Sequence, residues 1–170
     1  MRRVLPLAAL LALAPASAFA QNPYTTAAKT QFDDVKANLV KTAAKVPEEL
    51  YSFKPTPEVR SFAAILGHVA DGNYLICGIA AGETPQRNGF ENKTSKAEIV
   101  KALNDSIAYC DKVLAELDDA KGTATAKFFG GDMAKLSVFY YNVAHCNEHY
   151  GNLVTYMRLK GIVPPSSEGR

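Results

Sequence analysis

Residues 136–157 read LSVFYYNVAHCNEHYGNLVTYM, and this stretch decides the fold. Leu136, Phe139, Tyr140, Val143, Tyr150, Leu153 and Met157 recur at helical steps and form an apolar stripe. Beside it runs a second stripe of Asn142, His145, His149, Asn152 and Tyr156, polar for four turns yet without Lys or Glu. A solvent-facing surface favours charged residues. An uncharged polar stripe is expected to line a partly buried cavity, where its groups need partners. The spacing predicts a helix from Met133 to Lys160, with Asp132 as its cap and Gly161 and Pro164-Pro165 as its stop.

Three more helices are expected upstream. The first spans Tyr24 to Lys45, with Phe32, Val35 and Leu39 on its apolar face, and Pro47 ends it. In the proline-bearing link that follows, Leu50, Tyr51 and Phe53 are expected to pack back onto the bundle. Ser61 caps the second helix, which carries Phe62, Ile65, Leu66, Val69 and Ile76 and stops at Gly82. Gly67, Gly72 and Gly78 inside it mark either close packing or tolerated surface positions. Ser95 and Glu98 form a capping-box pattern before the third helix, Lys96 to Leu117. Asp118 to Gly131 reads as loop, and no stretch reads as a strand. Four amphipathic helices make an all-α four-helix bundle. The link of about a dozen residues after Gly82 can cross the bundle or close a hairpin, so helix order stays open.

The first twenty residues are expected to be an export signal. Arg2 and Arg3 precede an apolar run, Val4 to Ala14, that is too short to span a bilayer. Ala18-Phe19-Ala20 places small residues where a signal peptidase reads them, so residues 1–20 are removed and residues 21–170 form one domain. The competing reading is an N-terminal anchor. Cleavage takes Lys plus Arg from 19 to 17, equal to Asp plus Glu at 17. A balanced chain attracts no phosphate backbone over a broad surface, so nucleic acid is not an expected partner. No membrane partner is expected after cleavage. The destination is the periplasm or the cell exterior.

Cys77, Cys110 and Cys146 allow at most one internal disulfide. All three sit among apolar neighbours and are expected to be buried small hydrophobes. No CxxC or CxxCH is present, so neither thioredoxin-like chemistry nor covalent haem is indicated.

The chain has three histidines, His68, His145 and His149. Residues i and i+4 share a helix face, so one helix offers two imidazoles to a common point and a packed neighbour adds a third. Three imidazoles with an open position are a ligand pattern for catalytic zinc. Imidazole suits nickel and iron as well. The motif is not HExxH: Cys146 follows His145, and Glu148 precedes His149. Asp71, three residues after His68, is a candidate to hydrogen-bond a ligand ring. Glu148 either hydrogen-bonds a ligand ring or faces solvent, the favoured reading; Cys146 is expected to point into the core, and Tyr156 or Asn142 to orient a ligand. Each histidine also has an ordinary reading as a satisfied core residue.

The segments Ser61–Ala70, containing His68, and His145–Pro165, with its histidine pair, Gly-Asn-Leu continuation and Arg-x-x-Gly-x-x-Pro ending, resemble the DinB/YfiT-like superfamily. The resemblance extends over essentially the whole mature chain. It implies a four-helix bundle in up-down-down-up order, with the link after Gly82 as the crossover. It implies a divalent metal held by residues matching His68, His145 and His149, and a homodimer. Relatives include transferases and isomerases that use bacillithiol or mycothiol, and proteins proposed as metal-dependent hydrolases. An exported chain meets little reduced cofactor thiol, which weakens the thiol-transferase analogy. The expectation is an exported metal-dependent hydrolase or transferase acting on a small molecule. The alternatives are a non-catalytic metal or small-ligand binding protein with the same histidines, and a bundle with a vestigial site.

Overall fold

The computed structural model describes residues 22–169. The export signal, its cleavage point and Gln21 lie outside the described residues. Four long helices carry the fold: α1 (Pro23–Lys45), α2 (Phe62–Ala81), α3 (Lys96–Glu116) and α5 (Lys135–Leu159). Between α3 and α5 lie a four-residue helix α4 (Asp119–Gly122) and two short strands, β1 (Thr125–Phe128) and β2 (Gly131–Ala134).

Side-chain contacts fix the helix directions. Asn73 meets Ser106 and Cys77 meets Cys110, so α2 and α3 run parallel. Lys36 meets Asp111 while Lys96 reaches the carbonyl of Val46, so α1 opposes α3. Lys135 at the start of α5 bonds the carbonyl of Ala81 at the end of α2, so these two are antiparallel. The order is up-down-down-up, as the resemblance implied. The link from α2 to α3 must return along the bundle, and it runs back over α2. Its carbonyl at Phe90 rests on Gly67, where a Cβ would collide with it.

The core is apolar and continuous. Phe32, Leu39, Leu66, Leu103, Phe139 and Leu153 are fully buried within it. Phe32 and Phe139 tie α1 to α5 in an edge-to-face contact at 5.4 Å. Tyr51 packs back over the bundle as expected, donating to the carbonyl of Ala43, and Phe53 lies against Tyr156. α2 is long and apolar enough to cross a membrane, but most of its apolar window is buried inside the bundle, as in a core helix.

Several local expectations are corrected. Residues 118–131 are not plain loop: α4 occupies part of them, and β1 and β2 pair antiparallel from Thr125↔Ala134 to Phe128↔Gly131. The last helix starts at Lys135, because Asp132 and Met133 are taken up by β2. Ser61 caps α2 through the N–H of Ala64, but Ser95 makes no side-chain cap; Glu98 accepts from the Lys93 ammonium instead. Cys146 is a buried free thiol, while Cys77 and Cys110 are joined in a disulfide between α2 and α3. The sequence could not reveal that pairing, because it depends on the register of two parallel helices.

Candidate metal centre

The three histidines converge. His68 projects from α2, and His145 and His149 project from successive turns of α5. One nitrogen from each lies within 4.8 Å of the other two, and their ring centroids are 4.5–5.1 Å apart. Nε2 of His145 is 3.2 Å from Nε2 of His68. Gly72 makes this approach feasible, since a Cβ there would collide with the His145 ring. The close-packing reading therefore holds for Gly72 and for Gly67.

The surroundings suit a divalent cation. Burial, then the neighbouring imidazoles, lowers the His145 pKa from 6.5 to about 4, and burial lowers that of His149 as well. At neutral pH both rings are neutral, which is the form that ligates metal. Nδ1 of His145 is buried with no hydrogen-bond partner, and only its Nε2 meets another ring. Three imidazole nitrogens converging within 4.8 Å, with the His145 and His149 rings in the neutral form, are a donor set that fits a divalent ion.

The second layer differs from expectation. The carboxylate that orients His68 is Glu91, not Asp71. Nδ1 of His68 lies 2.9 Å from Oε2 of Glu91, leaving Nε2 toward the other rings. Nε of Arg60 donates to the other Glu91 oxygen at 2.7 Å. Burial raises the Glu91 pKa, but its bonds to Arg60 and His68 outweigh this and hold it below the usual value. Asp71 acts one step further out, accepting the backbone N–H of Glu91 at 3.0 Å. Glu91 comes from the link between α2 and α3, where no spacing relates it to His68. The only trace in the sequence was Gly67, which marked a close approach without naming what approached.

The polar stripe of α5 is also divided. Asn142 does not face the site. It is fully buried and donates to Oδ1 of Asn73 in the core, so it cannot orient a ligand. Asn152 approaches Nδ1 of His149, and Tyr156 donates to the carbonyl of Arg60. Glu148 is exposed and Cys146 is buried, both as expected. Burial pushes the Cys146 thiol up to about 12, which leaves it unreactive.

Two hollows flank the histidines. One, of about 490 Å³, opens on His68 and His145; the other, of about 590 Å³, opens on His149, Arg60 and Tyr156. Glu91 borders both.

A family model described as DinB superfamily matches residues 31–153. The chain belongs to the DinB superfamily. Solved structures with the same fold include a DinB-like protein from Bacillus cereus ATCC 10987, 17% identical with a TM-score of 0.71 over 82% of this chain and 95% of that one. A DinB-like protein from Bacillus subtilis is 18% identical with a TM-score of 0.67, covering 85% of this chain and 99% of its own. A conserved protein from Enterococcus faecalis is 14% identical with a TM-score of 0.66, covering 79% and 95%. At these identities the likeness concerns the DinB fold. No curated protein matches the chain.

Proposed function

We propose that this DinB-superfamily chain is an exported metal-dependent enzyme, a hydrolase or transferase acting on a small molecule. The observation that carries the reading is the convergence of three histidine nitrogens within 4.8 Å beneath a cavity of about 490 Å³. His68, His145 and His149 would hold the ion, with zinc the expected identity for three nitrogens and an open position. Such an ion supplies a Lewis acid that polarises a substrate oxygen and acidifies water.

The chain's own groups do the rest. Glu91 accepts from Nδ1–H of His68 and holds that ring in the ligating tautomer, while Arg60 holds Glu91. The Cys77–Cys110 disulfide supports an oxidising destination. Full burial of Cys146 leaves no free thiol for a nucleophilic role, which favours chemistry centred on the histidines.

The test is a panel of esters, amides and thiol-reactive electrophiles assayed with metal-loaded protein and with His149→Ala. Turnover is expected to require metal, to stop on chelation and to be lost in the variant. Equal turnover in both proteins would remove the histidines as its source. Ligand binding without turnover across the panel would favour the binding-protein alternative.

A further inference from the structure

The turn between β1 and β2 is built from an unusual residue. Phe128 pairs with Gly131, so Phe129 and Gly130 are the two central residues of a tight hairpin turn. Both have positive φ, 45° and 89°, the pattern of a type I′ turn. That turn favours Asn-Gly or Gly-Gly, because a bulky side chain at positive φ is strained. Burial does not compensate for the strain, since Phe129 is 70% exposed. Phe128 does the anchoring: it is buried, and its ring meets Tyr141 at 4.8 Å and Phe129 at 4.4 Å. The fold thus holds an aromatic ring out in the open at a cost in backbone strain. An outlier of this kind points to a function for the ring.

The ring stands at the rim of the cavity above the histidines. Phe129 and Tyr141 both line it, and Tyr141 is itself 44% exposed. Tyr141, His145 and His149 lie at four-residue steps, so Tyr141 sits one turn along α5 from the metal centre. Leu75 faces them from α2, on the same side as His68 and Gly72. One wall is therefore apolar and aromatic, and the floor is imidazole. Asp71 borders the same cavity, with its Oδ1 buried and without a partner.

We infer that the hairpin tip is a recognition element: Phe129 and Tyr141 clasp the aromatic or branched apolar body of a small molecule whose polar, metal-directed end lies at His68 and His145. The polar end rests on the metal reading. The aromatic clasp stands on the hairpin geometry and the cavity lining, without the metal.

Benzohydroxamate and acetohydroxamate share a metal-chelating group and differ in a phenyl against a methyl. Zinc-loaded protein is expected to bind benzohydroxamate about tenfold tighter, the scale set by burying a ring on one face. Phe129→Gly removes the ring and relieves the turn. It should keep or raise the melting temperature, abolish most of the preference and leave acetohydroxamate binding unchanged. Phe129→Leu should keep part of the preference. Equal binding of the two probes, or a preference that survives Phe129→Gly, would overturn the inference.

A metal-free arm separates this from the metal reading. Benzyl alcohol titrated into metal-free protein should shift the Gly130 amide and the Tyr141 ring signals in NMR spectra, and these shifts should vanish in Phe129→Gly. If neither hydroxamate binds and zinc is not retained, the metal reading fails while the benzyl alcohol result still decides the clasp. Absence of those shifts overturns it. A change from dimer to monomer in Phe129→Gly, with the probe preference intact, would assign the tip to contact between copies instead.

Discussion

Two polar clusters sit side by side where α2 and α5 pack, and they are built differently. One is the group of Asn73, Ser106 and Asn142. Asn73 donates to Ser106 and accepts from Asn142, and Ser106 donates to the carbonyl of Leu103. Cys146 and the Cys77–Cys110 disulfide pack against it, and all three polar side chains are fully buried. Only Oδ1 of Asn142 is left without a partner. The other cluster is the histidine group, where three imidazoles face one another and flank two hollows. A cluster that serves stability closes its hydrogen bonds among its own members. A cluster that converges acceptors on an accessible point is arranged for a ligand. Burial differs in the same sense: Asn73, Ser106 and Asn142 are fully buried, whereas His68 and His145 are partly exposed.

The strongest way to break this comparison is to exchange the roles by mutation. His145→Ala should release most of an expected one divalent ion per chain, read by elemental analysis, while Asn142→Ala should keep it and lower stability. Metal loss in Asn142→Ala but not in His145→Ala would reverse the assignment. The disulfide belongs to the stability cluster. Replacing Cys77 and Cys110 together by alanine opens a link between residues 33 apart, and should cost about 3 kcal/mol in denaturant unfolding with metal content unchanged.

Glu91→Gln sharpens the comparison at the site's second layer. The amide retains the shape but loses the charge that holds His68 and Arg60. Metal affinity should fall about tenfold, with little change in the fold. Asp71→Asn acts only through the Glu91 backbone and should do less.

A separate expected effect is on pH dependence. In the folded, metal-free protein burial lowers the His145 pKa to about 4, against the ordinary 6.5 of an imidazole. Between these values the unfolded chain binds the extra proton. Stability is therefore highest above about 6.5, falls as pH drops toward 4, and levels off below it. His149 adds in the same direction. Metal-free His145→Ala should show a shallower fall over that window in thermal unfolding. An unchanged slope would place the shift elsewhere.

The histidines were legible because helical periodicity is local. Residues four apart on α5, His145 and His149, share a face whatever the tertiary structure, and only the packing of α2 had to supply His68. The bundle followed from the same periodicity. What was not legible came from chain segments without a period. Glu91 reaches His68 because the α2–α3 link folds back over Gly67, a consequence of parallel helices that no spacing encodes. Arg60 lies just before α2 and is placed by Glu91. Asn142 was misread because it borders the histidine stripe on a helical wheel, yet one turn earlier that face is covered by α2. The hairpin was missed because its strands have four residues each and their alternation is weak, although Gly130-Gly131 is a turn signal in retrospect.

The central claim is that His68, His145 and His149 together hold a metal ion. Anomalous diffraction from crystals of zinc-loaded protein, recorded on both sides of the zinc edge, tests it most directly. The account predicts one peak per chain, about 2.0–2.1 Å from a nitrogen of each of the three imidazoles, with a further position open toward the cavity. A peak at another cluster, or stoichiometric zinc with none at these rings, would contradict it.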